Sequence, residues 1–188
     1  ANIVATTGNV TQATGTGTTT LSGGNVGGAL SITSEATVLA GVTNNVVGAV
    51  DLTATAGTIS DGNGATNNLT APALLLSATL GIGPGDAIET TTSNLEASGG
   101  SGGVFVANIG SLTIGGVSAA NGVSATAGNV AISASGLLTL DEQVTASLGN
   151  VSLTGVGIGF NNGGVATASG IVTLNAGTGA INTAGTNT

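Results

Sequence analysis

Gly128–Ala134 reads GNVAISA, Gly149–Gly155 reads GNVSLTG and Gly170–Ala176 reads GIVTLNA, so one short pattern occurs three times with its starts equally spaced. In each copy the third and fifth residues are Val, Ile or Leu, and the residue between them is small or hydroxylated. That is the period-two alternation of a half-buried strand. The glycine ahead of it is expected to make a turn. The first third of the chain has its own evenly spaced series, with GNVTQA from Gly8, GALSIT from Gly28 and GAVDLTA from Gly48. GSLTIGG from Gly110 starts slightly less than one such interval before Gly128 and completes seven copies. Their third position is Val10, Leu30, Val50, Leu112, Val130, Val151 and Val172; their fifth is apolar in every copy except the first, which has Gln12.

A second apolar position falls at a constant offset after the glycine, at Leu39, Ile59, Phe160 and Ile181, and VTASL (Val144–Leu148) matches VATAS (Val165–Ser169) further on. One repeat therefore carries two or three short strands, and no helix of three turns fits anywhere. Such a unit cannot bury its apolar face alone and must stack on its neighbours. The spacing predicts an all-β chain folded as a β-solenoid, most simply a right-handed parallel β-helix with rungs of about 20 residues. Residues 1–188 are expected to form one array, with regular rungs over about 8–67 and 110–188, irregular rungs over 68–109, and no cap at either end. About nine rungs at a strand spacing of roughly 4.8 Å predict a rod of about 45 Å. The recurrent Asn9, Asn129 and Asn150 are expected at left-handed corners that stack into a ladder. Small residues such as Ala54 and Ala134 are expected to line a narrow core.

Composition supports this reading. The chain has 188 residues with 18 Val, 11 Ile, 17 Leu and 2 Phe, about a quarter large and apolar, which is too many for a disordered chain despite a charged fraction of 4%. It has no Lys, Arg, His, Cys, Met, Trp or Tyr, and its net charge is −8. Without His, Cys or Lys there is no triad, Schiff base, thiolate or imidazole metal site, or disulfide. Without a cation the chain cannot neutralise phosphates, which argues against nucleic-acid and anionic-membrane binding. No apolar run approaches the roughly 20 residues of a membrane-spanning helix, and the aromatic girdles of a membrane barrel are missing.

Residues 68–109 hold LLL around Leu75, an IG turn at Ile82-Gly83, Ile88-Glu89-Thr90, Leu95-Glu96-Ala97 and a GG-hydrophobic strand. With Leu74, Leu76, Ala78, Ile82, Gly83, Ile88, Thr90, Leu95, Ala97, Gly103, Val104, Val106, Leu112 and Ile114, this pattern resembles the repeat regions of filamentous-haemagglutinin-like exoproteins and related giant bacterial surface adhesins. The resemblance implies a β-helix on a bacterial cell surface or outside the cell, with a cell-surface or glycan partner. The chain departs from that family in lacking basic residues and most aromatics.

Eight carboxylates are available: Glu35, Asp51, Asp61, Asp86, Glu89, Glu96, Asp141 and Glu142. Asp61-Gly62-Asn63-Gly64 begins like a calcium loop and lacks its later ligands, and Asp86 in GIGPGDAIE has Pro84 where a calcium turn of the RTX type needs glycine. Asp61, Asn63 and Asp86 are therefore weak calcium candidates, and no cofactor is expected. Asp86/Glu89 and Asp141-Glu142 are the acid/base pairs a polysaccharide-active β-helix would need. Thr18–Thr20, Thr53-Ala54-Thr55 and Thr90–Thr92 are the threonines an ice-binding solenoid would need, provided that they share one offset in the repeat. Sequons stand at Asn9, Asn68 and Asn150, a number expected by chance in so Asn- and Thr-rich a chain. The expected role is non-enzymatic and structural: an extracellular rod that stacks end to end with copies of itself or continues within a longer repeat chain, with adhesive loops.

Overall fold

The computed structural model describes residues 3–41, 44–119, 122–161, 165–167 and 169–183. All regular elements are strands. The first turn holds β1 (Ile3–Ala5), β2 (Val10–Gln12) and β3 (Thr18–Leu21); the second holds β4 (Gly24–Val26), β5 (Leu30–Ser34) and β6 (Ala36–Leu39). There follow β7 (Asn44–Val46), β8 (Val50–Ala54) and β9 (Thr58–Asp61), then β10 (Leu69–Thr70), β11 (Ala73–Ala78) and β12 (Gly81–Ile82). β13 (Ile88–Thr91), β14 (Asn94–Gly99) and β15 (Val104–Asn108) lead to β16 (Leu112–Ile114), β17 (Val123–Ala125) and β18 (Val130–Ala134). The last strands are β19 (Leu138–Leu140), β20 (Val144–Ala146), β21 (Val151–Thr154), β22 (Ile158–Phe160), β23 (Val165–Thr167), β24 (Val172–Asn175) and β25 (Ile181–Thr183). Each strand pairs in parallel with strands one turn away, giving a β-solenoid of about 8 turns where nine rungs were expected. No helix among the described residues is long and apolar enough to cross a membrane.

Stacking in register turns the sequence alternation into continuous apolar columns. Val10, Leu30, Val50, Leu74, Leu95, Ile114, Leu140 and Phe160 lie one above another through successive strand pairs. A second column runs Ile59, Ile82, Val104, Val130, Val151 and Val172. Most of these side chains are fully buried, each contributing about 1.5–3 kcal/mol. Ala54 and Ala134 point inward as expected.

The glycine that opens the repeats has a cause other than turn formation. Gly8 and Gly110 have positive φ, but Gly28, Gly48, Gly128, Gly149 and Gly170 do not. At Gly149 a Cβ would strike the carbonyl oxygen of Gly128 in the turn beneath, and at Gly170 it would strike that of Gly149. At those five the corner is glycine because successive turns approach closely there, whereas at Gly8 and Gly110 the positive φ is the reason. The asparagines also differ from expectation, since among the described residues only glycines have positive φ. They form a ladder by another route: Asn9 Oδ1 accepts the Ala29 N–H at 2.8 Å, Asn129 Oδ1 that of Asn150 at 2.8 Å, and Asn150 Oδ1 that of Ile171 at 2.7 Å. Each side chain thus satisfies a corner N–H of the next turn.

Over the first half of the chain the three strands of each turn build three faces, one of β1, β4, β7, β10 and β13, one of β2, β5, β8, β11 and β14, and one of β3, β6, β9 and β12. Residues 68–93 keep these faces although they break the sequence spacing; the lengthened step from Asn45 to Thr70 is absorbed by a loop over 62–67. The faces are repartitioned at β14 and β15. β15 covers two of them at once, with Val104 on Ile82 of β12 and Val106–Asn108 on Ile88–Thr90 of β13. β14 divides: Asn94 and Leu95 carry Thr113 and Ile114 of β16, whereas Ala97–Gly99 carry Val123–Ala125 of β17. The step from Leu95 to Ile114 is shorter than a regular turn and that from Ala97 to Val123 is longer, and the surplus leaves the wall as the segment after β16.

This repartition corrects the alignment of seven copies. Val10, Leu30 and Val50 share one column, Val130, Val151 and Val172 another, and Leu112 stands in a third with Leu138 and Ile158. Likewise, Leu39 pairs with Asp61 and Ile59 with Thr37, so positions equidistant from the glycine are not stacked.

Candidate functional site

Besides the buried Ser34–Thr37 pair and the buried network of Asn108 with Thr90 and Thr92, polar side chains shielded from solvent meet at two corners that include carboxylates. The first is the loop between β9 and β10. Asp61 Oδ1 accepts the Asn63 N–H at 2.9 Å and Asn68 Nδ2 at 2.6 Å, and Asn68 Nδ2 also donates to Asn63 Oδ1 at 2.8 Å. Asn63 Nδ2 donates to Gly41 O at 2.9 Å, tying the loop to the turn below. Asn68 is 0% exposed, and its Oδ1 accepts the N–H of Glu89, one turn above, at 2.7 Å. Burial first, then the charge of Asp61 and that of Asp86, push the Glu89 carboxyl above its ordinary value, while a backbone hydrogen bond at Glu89 opposes them. Asp61 Oδ2 and Glu89 Oε2 are both shielded from solvent and find no hydrogen-bond partner among the described residues.

The weak calcium candidates are thus partly brought together. Asp61 and Asn63 meet through Asn68, and Asp86 is exposed on the turn between β12 and β13. Among the described residues, no three acidic side chains are grouped as a metal ion would require. Sequence reasoning missed the residue that organises this corner, Asn68, whose sequon is buried and closed to glycosylation. Its signal was the clustering of Asn63, Asn67 and Asn68, in a chain too rich in Asn for that to stand out.

The second corner lies where β14 divides. Its strand breaks alternation, with Leu95, Glu96 and Ala97 all buried in succession, and Glu96 is 0% exposed. Glu96 Oε1 accepts the N–H of Val117 at 2.7 Å and of Ser118 at 2.8 Å, and Oε2 accepts the Ser118 hydroxyl. Glu142, from the turn after β19, approaches the same segment: Oε1 accepts the Gly116 N–H at 3.2 Å and Oε2 that of Gly122 at 2.6 Å. Asn94 Nδ2 donates to Gly115 O at 2.8 Å. Burial pushes the Glu96 carboxyl up, but the Ser118 hydroxyl and the Ser118 and Val117 amides outweigh it and hold the group below its ordinary value. Neither carboxylate has a cationic side chain as partner, since the chain contains none.

The remaining candidates are dispersed. Asp141 is exposed and accepts Asn161 Nδ2 at 2.6 Å, while neighbouring Glu142 holds Gly116 and Gly122 in the turn below, so the two are engaged by different partners. Thr18–Thr20 stand in β3, Thr53 in β8 and Thr90 and Thr91 in β13, on three different faces, and Thr90 and Thr92 are buried. A hydroxyl row does exist elsewhere. Thr33, Thr53, Ser77, Ser98, Ser124 and Thr145 stack in register from turn to turn, and Asp51, Leu75 and Gln143 join all but the first of them around a groove of about 560 Å³.

No protein-family model, no curated protein and no solved structure matches the chain.

Proposed function

We propose that the chain is a structural element of an extracellular or cell-surface fibre, in which solenoid turns from successive copies continue one another's sheets. The observation that carries this reading is the parallel, in-register stacking of successive turns, which carries apolar columns across the repartition at β14 and β15. A further turn laid on β24 and β25 would extend the same ladders and cover Val172 and Ile181, which are 39% and 48% exposed. The near absence of charge serves the same end, because like charges stacked every turn at roughly 4.8 Å repel. The resemblance to haemagglutinin-like adhesins points the same way and adds a surface location.

Sedimentation velocity and negative-stain imaging over a concentration series test this. Filaments of uniform width are expected, and Val172→Lys should abolish them while leaving the circular dichroism unchanged. Discrete particles at every concentration would overturn the reading. A second reading, adhesion to a neutral glycan, is favoured by the hydroxyl-lined groove. Loss of binding on a glycan array in Ser98→Val with Thr145→Val would support it, and absence of any binding by the parent chain would remove it.

A further inference from the structure

The second corner joins two features that rarely occur together: a carboxylate shielded from water, and a chain with no cationic side chain to neutralise it. A buried carboxylate is tolerated only when donors take the place of its water. Here the donors all belong to one short segment, residues 115–119 and Gly122, the stretch that leaves the wall where β14 divides. The dependence is mutual, since that segment runs outside the strand ladders and its amides at Gly116, Val117, Ser118 and Gly122 are taken up by the two carboxylates.

We propose that Glu96 is the acid-sensitive member of a latch: with Glu142 it clamps residues 115–119 and Gly122 to the solenoid wall, and protonation of Glu96 releases Val117 and Ser118, the strands on either side staying paired. At Glu142 each oxygen accepts one amide, which ties Gly116 and Gly122 to the wall. At Glu96 one oxygen accepts both amides and the other the Ser118 hydroxyl, and loss of charge removes about half the strength of each bond. The groups facing Glu96 reinforce this. Leu75 of β11 lies beneath it in register, Asp51 of β8 one turn lower in the same row, and Glu142 above; Asp141 next to Glu142 is exposed. All are apolar or acidic, so no neighbour can hold the charge in place of the amides. Because Glu96 is held below its ordinary value of 4.5, its contribution is complete above that pH and is lost as pH falls through the lower, folded-state value. The segment also bounds the hydroxyl-lined groove at Gly122, so its release changes the shape of the groove's rim.

Amide hydrogen exchange on the whole chain, expressed as protection factors to remove the intrinsic pH dependence, tests the latch. Between pH 7 and pH 3 the Val117 and Ser118 amides should lose protection by at least about tenfold, with Ile114, Val123 and Ala125 unchanged. Glu96→Gln should show the same loss already at pH 7 and no further change on acidification. If that variant fails to fold, Glu142→Gln, at a half-buried position, keeps one acceptor oxygen and should loosen one of the Gly116 and Gly122 amides while leaving the flanking strands protected. Equal protection at both pH values, or loss shared equally by the flanking strands, would overturn the latch.

Discussion

Replacing Asn68 by aspartate changes one atom at the centre of the 61–68 corner. The Nδ2 that donates to Asp61 Oδ1 at 2.6 Å and Asn63 Oδ1 at 2.8 Å becomes an oxygen, while the oxygen that accepts the Glu89 N–H remains. An ionised aspartate would stand at hydrogen-bond distance from Asp61, 2.6 Å between the facing atoms, a repulsion of about 6 kcal/mol at an effective dielectric constant near 20. The alternative is proton uptake. At pH 7 this costs about 4 kcal/mol for a carboxyl with an ordinary pKa near 3.9, after which its O–H restores one of the two lost bonds. Proton uptake is the cheaper route and sets the loss at about 4 kcal/mol at pH 7. At pH 4 the proton is nearly free, and the deficit relative to the parent chain falls to about 1 kcal/mol, one missing hydrogen bond. Asn68→Ala removes donor and acceptor alike and should cost about 3 kcal/mol with little dependence on pH. Because the chain has no Trp or Tyr, denaturant unfolding followed by far-ultraviolet circular dichroism at the two pH values is the suitable assay. An Asn68→Asp variant as stable as the parent at pH 7, or equally impaired at pH 4 and pH 7, would refute the reasoning.

Glu89→Gln should stabilise the chain at neutral pH. With the folded-state value raised, the ionised group opposes folding above that value, and the advantage of the variant should disappear below the ordinary value of 4.5, as denaturation at pH 7 and pH 4 will show. Gly149→Ala should cost at least about 2 kcal/mol, because its Cβ meets the Gly128 carbonyl oxygen. Ala127→Gly, one residue before the stacked corner, should cost far less in the same unfolding assay, and equal losses would remove the close-approach explanation.

Much of the wall could be read from the residues. GNVAISA, GNVSLTG and GIVTLNA do stack as their equal spacing implies, because their turns are equal in length and parallel pairing preserves offset. Gly110 misled for a physical reason: GSLTIGG is a strand of the same chemistry, and nothing local records that the corner moved between it and Gly128. Glu96 was illegible for the same reason. In LEAS it occupies an outward position, continuing Thr11, Ser31, Asp51 and Leu75. Only the division of β14, brought about by residues a full turn later in the chain, closes the segment over it. Asp61 and Asn63 were visible as a turn, but the partners that define their role, Asn68 and Glu89, belong to the loop's far end and to the next turn.

The pairing of strands one turn apart, at about 21-residue spacing, also sets how such a rod responds to a pull along its axis. Among the described residues no strand pairs with one more than a turn away, so load is met by the outermost turn alone. When it peels away, one strand spacing of about 4.8 Å is exchanged for up to about 70 Å of extended chain. The next turn then takes the load unchanged. A rod of this kind yields one turn at a time, in steps whose length follows that of the turn, and absorbs work at each, so that extension under tension spends turns in sequence while the remainder keeps its shape.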